Sequence, residues 1–228
     1  MNNIMDFIEI NSGREVVYNF LSRSLIDCPD KQYLQMFEKL YTYLVAIIDD
    51  SEDINIIKAK KILLNLINDI NASDDKNSIV LKLSKEYTNL FCLGSYSIAP
   101  YESVYLSAEK LLKQEPWEEV FSIFNENKFF PKKNANVPED HIAYELLFMS
   151  FLSYRAKESA NKSDINELKV IYQKQASFLE KHLLRWINNL CSDISKMAND
   201  SNSFYIGIVN FLTGYIDMDY EFLQKVII

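Results

Sequence analysis

Asp140, His141 and Glu145 are the residues of this 228-residue chain whose types and spacing come closest to chemistry. His141 and Glu145 stand one helical turn apart and can share a helix face, as two metal ligands would. A metal needs at least one more ligand, and the chain has neither an HExxH pattern nor a Cys/His cluster. His182, the second of two histidines, stands in an apolar helical stripe beside Trp186. An imidazole in that position is most simply satisfied by a neighbouring carboxylate or carbonyl. GxSxG, GxGxxG and GxxxxGKS/T are all absent, which removes the serine-hydrolase, dinucleotide and P-loop readings. A metal- or nucleotide-dependent helical enzyme using His141, Glu145 and His182 stays as the minority reading. No cofactor and no metal site is expected.

The same residues also suit recognition. A carboxylate such as Asp140 can pair bidentately with an arginine guanidinium, and the blander account is helix capping plus a His141–Glu145 contact. A second dense segment lies upstream, Ala99-Pro100-Tyr101-Glu102-Ser103-Val104-Tyr105-Leu106. It continues a stretch rich in rings (Tyr87, Phe91, Tyr96, Tyr101, Tyr105) and flanked by Glu86. Such rings are usually core, yet tyrosines beside an acid also make a groove for an apolar, basic peptide.

Helical periodicity predicts the elements that carry these residues. Val17, Leu21 and Leu25 stripe one helix; Tyr33, Phe37, Leu40, Leu44 and Ile48 a second; Ala59, Leu63, Leu66 and Ile70 a third. Val80, Leu83, Tyr87, Leu90 and Phe91 make a fourth. Residues 93–100 read as a loop, helix returns over 104–113, and a short turn or helix holds Val120, Phe121 and Phe124. Asn136 as N-cap with Glu139 three residues on predicts a helix start with Pro138 in its first turn and two acids at the positive end of the dipole. Leu168, Ile171, Leu179, Leu183, Trp186 and Leu190 stripe a long helix, and Phe204, Ile208, Phe211, Leu212 and Tyr215 the last. The fold class is therefore all-α. Two prolines, four asparagines and three lysines in 125–138 mark a linker, giving an N-terminal lobe 1–126, a hinge 127–138 and a C-terminal lobe 139–228. A hinge there would permit a domain-swapped dimer as well as a monomer.

Composition narrows the function classes. A hydrophobic fraction of 48% excludes a disordered chain, and 4 glycines leave little turn chemistry for a many-stranded β fold. With a net charge of −8 and no basic run, nucleic-acid binding is not expected, and basic partners are favoured by steering. Cys28, Cys92 and Cys191 are too far apart for a zinc site or disulfide framework, and each is expected as a small buried hydrophobe. The start of the chain lacks the pattern of an export signal and no apolar run is long enough to span a bilayer, so a cytoplasmic protein is expected.

Several motifs in fixed order carry a resemblance. Glu86-Tyr87-Thr88-Asn89-Leu90-Phe91 comes first, then Pro100-Tyr101-Glu102-Ser103-Val104-Tyr105. Pro138-Glu139-Asp140-His141-Ile142, running on to Glu145-Leu146 and Phe148-Met149, is third. Phe178-Leu179-Glu180-Lys181-His182-Leu183-Leu184-Arg185-Trp186 is last. From about residue 80 onward the chain resembles the TorD/DmsD family of molybdoenzyme maturation chaperones. It departs at Ala99, where the family has the first proline of a pair, and its N-terminal third matches only in helical pattern. The resemblance implies an all-helical, non-enzymatic protein. Such proteins bind the twin-arginine leader, and often the body, of a molybdopterin-dinucleotide oxidoreductase precursor until its cofactor is inserted. It implies leader-binding roles for Asp140 and His141, with Tyr101, Glu102, Ser103, Tyr105 and Glu145 as further members of that surface. A chaperone of a non-exported client, such as a nitrate reductase subunit, is the alternative within the class.

Overall fold

A computed structural model describes residues 4–49, 51–94, 97–132, 137–198 and 200–227. Among them the secondary structure is helical, with one isolated bridge in place of any strand. The helices are α1 (Ile4–Ile26), α2 (Lys31–Asp49), α3 (Ile54–Ala72), α4 (Lys76–Phe91), α5 (Glu102–Leu106), α6 (Glu115–Glu126), α7 (Ile142–Asn161), α8 (Ile165–Phe178), α9 (Leu184–Met197) and α10 (Phe204–Ile227). A π-helical turn, Leu179–Leu183, joins α8 to α9 without a break. No described helix is long and apolar enough to cross a membrane.

Two compact units share the chain. One comprises residues 1–26, 100–186 and 218–228, the other 27–99 and 187–217. The described residues of 127–138, the stretch read above as a hinge between lobes, fall within the first unit.

In the first unit α1 packs along α7. Val17 and Leu21 on α1 and Ile142, Leu146, Met149 and Leu152 on α7 recur at helical spacing and are all fully buried. Polar side chains stitch the pair: Ser22 Oγ donates to the Ala143 carbonyl (2.7 Å) and Ser150 Oγ to that of Glu15 (2.9 Å). Phe124, Phe129, Phe148 and Phe178 form an aromatic cluster, with Phe148 4.9 Å from both Phe124 and Phe178. Phe129 is therefore core, although it belongs to the stretch read as linker.

The second unit contains α2, α3, α4 and most of α9 and α10. Asp53 caps α3, accepting from Asn55 N and Ile56 N at 2.8 and 3.0 Å. Gly207 and Gly214, two turns apart on one face of α10, let α3 approach closely. A Cβ at Gly207 would meet Ile62 Cγ2 at 2.8 Å, and one at Gly214 would meet Ile56 Cγ1 at 2.6 Å.

Several expectations are corrected. Helix α7 starts at Ile142 with His141 as N-cap, so Pro138, Glu139 and Asp140 precede it; the proposed cap Asn136 lies outside the described residues. Helix does not extend over 104–113: α5 ends at Leu106, and Lys110 and Lys113 take positive φ (53° and 58°), which no helix accommodates. Cys191 is buried as expected, but Cys28 and Cys92 are exposed because they sit in the α1–α2 connection and at the C-cap of α4.

Candidate functional site

The two dense segments of the sequence meet in the first unit. Tyr101 and His141 form an antiparallel bridge, with Glu102 N–H donating to the Asp140 carbonyl and Ile142 N–H to the Pro100 carbonyl, both at 2.9 Å. Pro100 lacks an N–H but supplies the acceptor that the pairing needs. The bridge places three carboxyl groups, from Glu102, Asp140 and Glu145, in the interior, each fully buried.

Each carboxyl has a defined neighbour. Asp140 Oδ2 accepts from Ser103 N (2.9 Å) and so caps α5, whose own N-cap residue Tyr101 makes no side-chain cap bond. Glu102 reaches His182 Nδ1 with its two oxygens at 3.0 and 3.2 Å. Glu145 Oε2 accepts from Trp186 Nε1 (3.3 Å), and the Trp186 ring lies 5.4 Å from that of Tyr105. Glu139 Oε2 takes the Trp117 indole N–H at 2.7 Å, tying α6 to the turn before α7. The π turn changes the phase of the α8–α9 rod, and His182 lies within it; such turns recur at functional sites.

The cluster is acid-rich and incompletely bonded. Ser103 Oγ, Asp140 Oδ1 and Glu145 Oε1 are buried and make no well-formed hydrogen bond among the described residues, although the Ser103 hydroxyl faces Asp140 and the Glu145 carboxyl faces that of Glu102. Burial pushes the Glu145 carboxyl well above the usual carboxylate range, and repulsion from Glu102 and then Asp140 pushes it further. Burial likewise raises Glu102 and Asp140, against the stabilising bonds from His182 and Ser103. His141 moves the other way: burial lowers it to about 3. Its Nδ1 accepts from Ala143 N (3.1 Å), so the ring must be neutral with its proton on Nε2. The ring packs edge-on against Tyr101 at 5.0 Å.

The expected site residues are thus brought together, but not on a surface. Asp140, His141, Glu102, Ser103 and Glu145 are buried, while Tyr101 and Tyr105 are half-buried and face partly outward. His141 caps its own helix through its ring nitrogen, in place of the expected contact with the Glu145 side chain. Tyr87, Phe91 and Glu86 belong to the other unit. There the two rings pack on each other at 5.0 Å and Glu86 Oε2 accepts from Ser203 Oγ and Phe204 N at the start of α10. Tyr96 lies outside the described residues.

The arrangement does not resemble catalytic machinery. His141, Glu145 and His182 engage three different partners, and no group of three His, Cys, Asp or Glu among the described residues could hold a metal. His182 is satisfied by a carboxylate, as its position in the sequence suggested. The arrangement can instead brace α5, α7 and the π turn and hold two tyrosines at the surface.

Sequence reasoning missed a second buried polar cluster in the same unit. Arg14 pairs bidentately with Asp219 (Nε to Oδ1 2.6 Å, Nη2 to Oδ2 2.9 Å), and Tyr18 donates to the same carboxylate at 2.6 Å. Arg14 Nη1 is shared between Asn11 Oδ1 (2.9 Å) and Gln175 Oε1 (2.8 Å). The available signal was an arginine three residues before Val17 in an apolar stripe.

Comparison with known proteins accords with this geometry. Residues 57–192 match the family model described as nitrate reductase delta subunit. The chaperone protein TorD of Photobacterium profundum is 28% identical over 225 residues, covering 96% of this chain and 98% of that protein. TorD of Aliivibrio salmonicida is 26% identical over 220 residues, covering 93% and 95%. TorD of a Shewanella species is 24% identical over 232 residues, covering 98% and 100%.

Proposed function

This chain belongs to the nitrate reductase delta subunit family, that of the TorD-type molybdoenzyme maturation chaperones, and from that premise we propose that it binds the twin-arginine leader of its client precursor. It is a chaperone rather than an enzyme, and acts by binding. In this reading it holds the precursor in the cytoplasm until the cofactor is inserted, and so delays export.

The observation that carries the reading is the antiparallel pairing of Tyr101 with His141, which joins the two most distinctive segments of the chain. Tyr101 and Tyr105 are the half-exposed members and offer ring faces to an incoming peptide. Asp140, His141, Glu102, Ser103 and Glu145 hold those rings in place from beneath. A leader that is basic and then apolar would be drawn to a protein of net charge −8 and retained on aromatic surface.

Calorimetric titration with a synthetic twin-arginine leader, beside a version with both arginines changed to lysine, tests the reading. Saturable binding that weakens in the lysine version is expected; absence of heat with leaders of all candidate clients would overturn it. The family description favours one second reading, a non-exported client of the nitrate reductase type. Binding to the client body with no binding to any leader would select it.

A further inference from the structure

Helix α6 buries Pro116, Val120 and Phe124, which recur at one-turn spacing, and thereby turns Trp117 and Phe121 toward its other side. Phe121 is 41% exposed, and its ring stacks on that of half-buried Trp117 with centroids 5.5 Å apart and an interplanar angle of 24°. Leu111 and Leu112, in the turn just before the helix, are 55% and 46% exposed. Lys113, at φ 58°, closes that turn with its ammonium 5.7 Å from the Trp117 ring centroid, which holds the turn that carries the two exposed leucines beside the ring pair. Scattered single apolar residues are ordinary on a protein surface, but a stacked pair of rings extended by two leucines is a patch.

The border of the strip is acidic. Glu118, beside Phe121 on the helix surface, and Glu109 and Glu115, in and just after the preceding turn, are exposed and make no ion pair among the described residues, against Lys110 and Lys113 on the same stretch; Glu119 lies on the other flank of α6, in a groove with Lys181 and Arg185. The strip is also fastened to the site described above. Trp117 donates its indole N–H to Glu139, the residue before Asp140, so the turn that carries the buried carboxyl cluster also fixes the angle of this ring.

We propose that this strip on α6 receives the apolar stretch of a twin-arginine leader, with Glu118 and Glu109 meeting the arginines. The inference rests on the leader reading and deepens it by extending the recognition surface beyond Tyr101 and Tyr105. The chemistry fits in order as well as in kind: a peptide that is basic and then apolar meets carboxylates at the edge and rings and leucines along the strip.

Leader titration of three folded variants decides the matter. Leu112→Ser with Phe121→Ser removes exposed apolar surface and is expected to weaken leader binding about tenfold or more. Glu109→Lys with Glu118→Lys is expected to slow association and to flatten its dependence on salt. Tyr154→Ser with Ile165→Ser, which removes equally exposed apolar side chains elsewhere in the unit, is the control and should change affinity by less than about twofold. Trp117 gives an independent readout, since leader binding should shift its emission to the blue while fully buried Trp186 stays constant. Wild-type binding that survives the α6 substitutions, or falls equally in the control, overturns this surface and leaves the leader reading standing. Failure of the wild type to bind any leader overturns both.

Discussion

The first unit contains two buried polar clusters that solve the same physical problem differently. Around Arg14 the charges balance: one guanidinium meets one carboxylate bidentately, and Tyr18, Asn11 and Gln175 take up much of the remaining bonding capacity. Around Asp140 the acids outnumber the groups that can donate to them, and three buried oxygens, on Ser103, Asp140 and Glu145, lack a well-formed hydrogen bond among the described residues. A fully bonded network specifies packing, whereas an under-bonded one costs stability that the fold must offset elsewhere. Local departures of that kind concentrate at functional sites. The difference suggests that Arg14–Asp219 fastens the unit together, while the Asp140 cluster serves the surface above it.

Breaking the balanced cluster should give the largest effect. Arg14→Ala leaves the Asp219 carboxylate buried and unpaired, with an expected loss of about 3–5 kcal/mol by denaturant unfolding. Replacing both partners, Arg14→Met with Asp219→Leu, should recover most of that loss. Neither change should alter leader affinity in protein that remains folded, which separates this cluster from the other. Equal damage from the single and double changes would contradict the pairing as its source.

The acid-rich cluster should respond more gently and with a sign that depends on pH. In the fold Glu145 holds its proton more tightly than a free carboxyl with its value of 4.5, because of burial and then the neighbouring acids. Stability from this group is complete below that pH and is lost as pH rises toward its folded value. Glu145→Gln removes the slope, so its melting temperature should gain on the wild type as pH is raised from about 5 to about 8. A constant difference across that range would mean that Glu145 is ionised in the fold. His141, lowered to about 3 from 6.5, runs the opposite way: its contribution is present above 6.5 and is lost as pH falls.

The all-helical class was legible because apolar residues recur with helical period through nearly every segment, and the buried faces of α1, α7 and α10 carry the residues that periodicity picked out. The candidate segments were legible too, but their burial was not. Asp140 and Glu102 read as exposed acids because sequence shows a charge without showing the bridge that draws it inward. The start of α7 was misplaced since His141 is a less common cap than the Asn136 pattern suggested, and its ring nitrogen does the capping. The division into units was invisible for a different reason: the passages at 186/187 and 217/218 lie inside α9 and α10, where no proline, glycine or polar run marks a boundary. The Arg14–Asp219 pair joins residues at opposite ends of the chain, and local pattern holds no information on such pairing.

The most direct test of the chaperone account is leader titration of Asp140→Ala with His141→Ala. This variant loses the side-chain caps of α5 and α7, at about 1 kcal/mol each, and should keep its helical circular dichroism. The account predicts leader binding weakened about tenfold or more, because Tyr101 and Tyr105 lose the turn and cap that place them. Unchanged affinity in a folded double variant would contradict it.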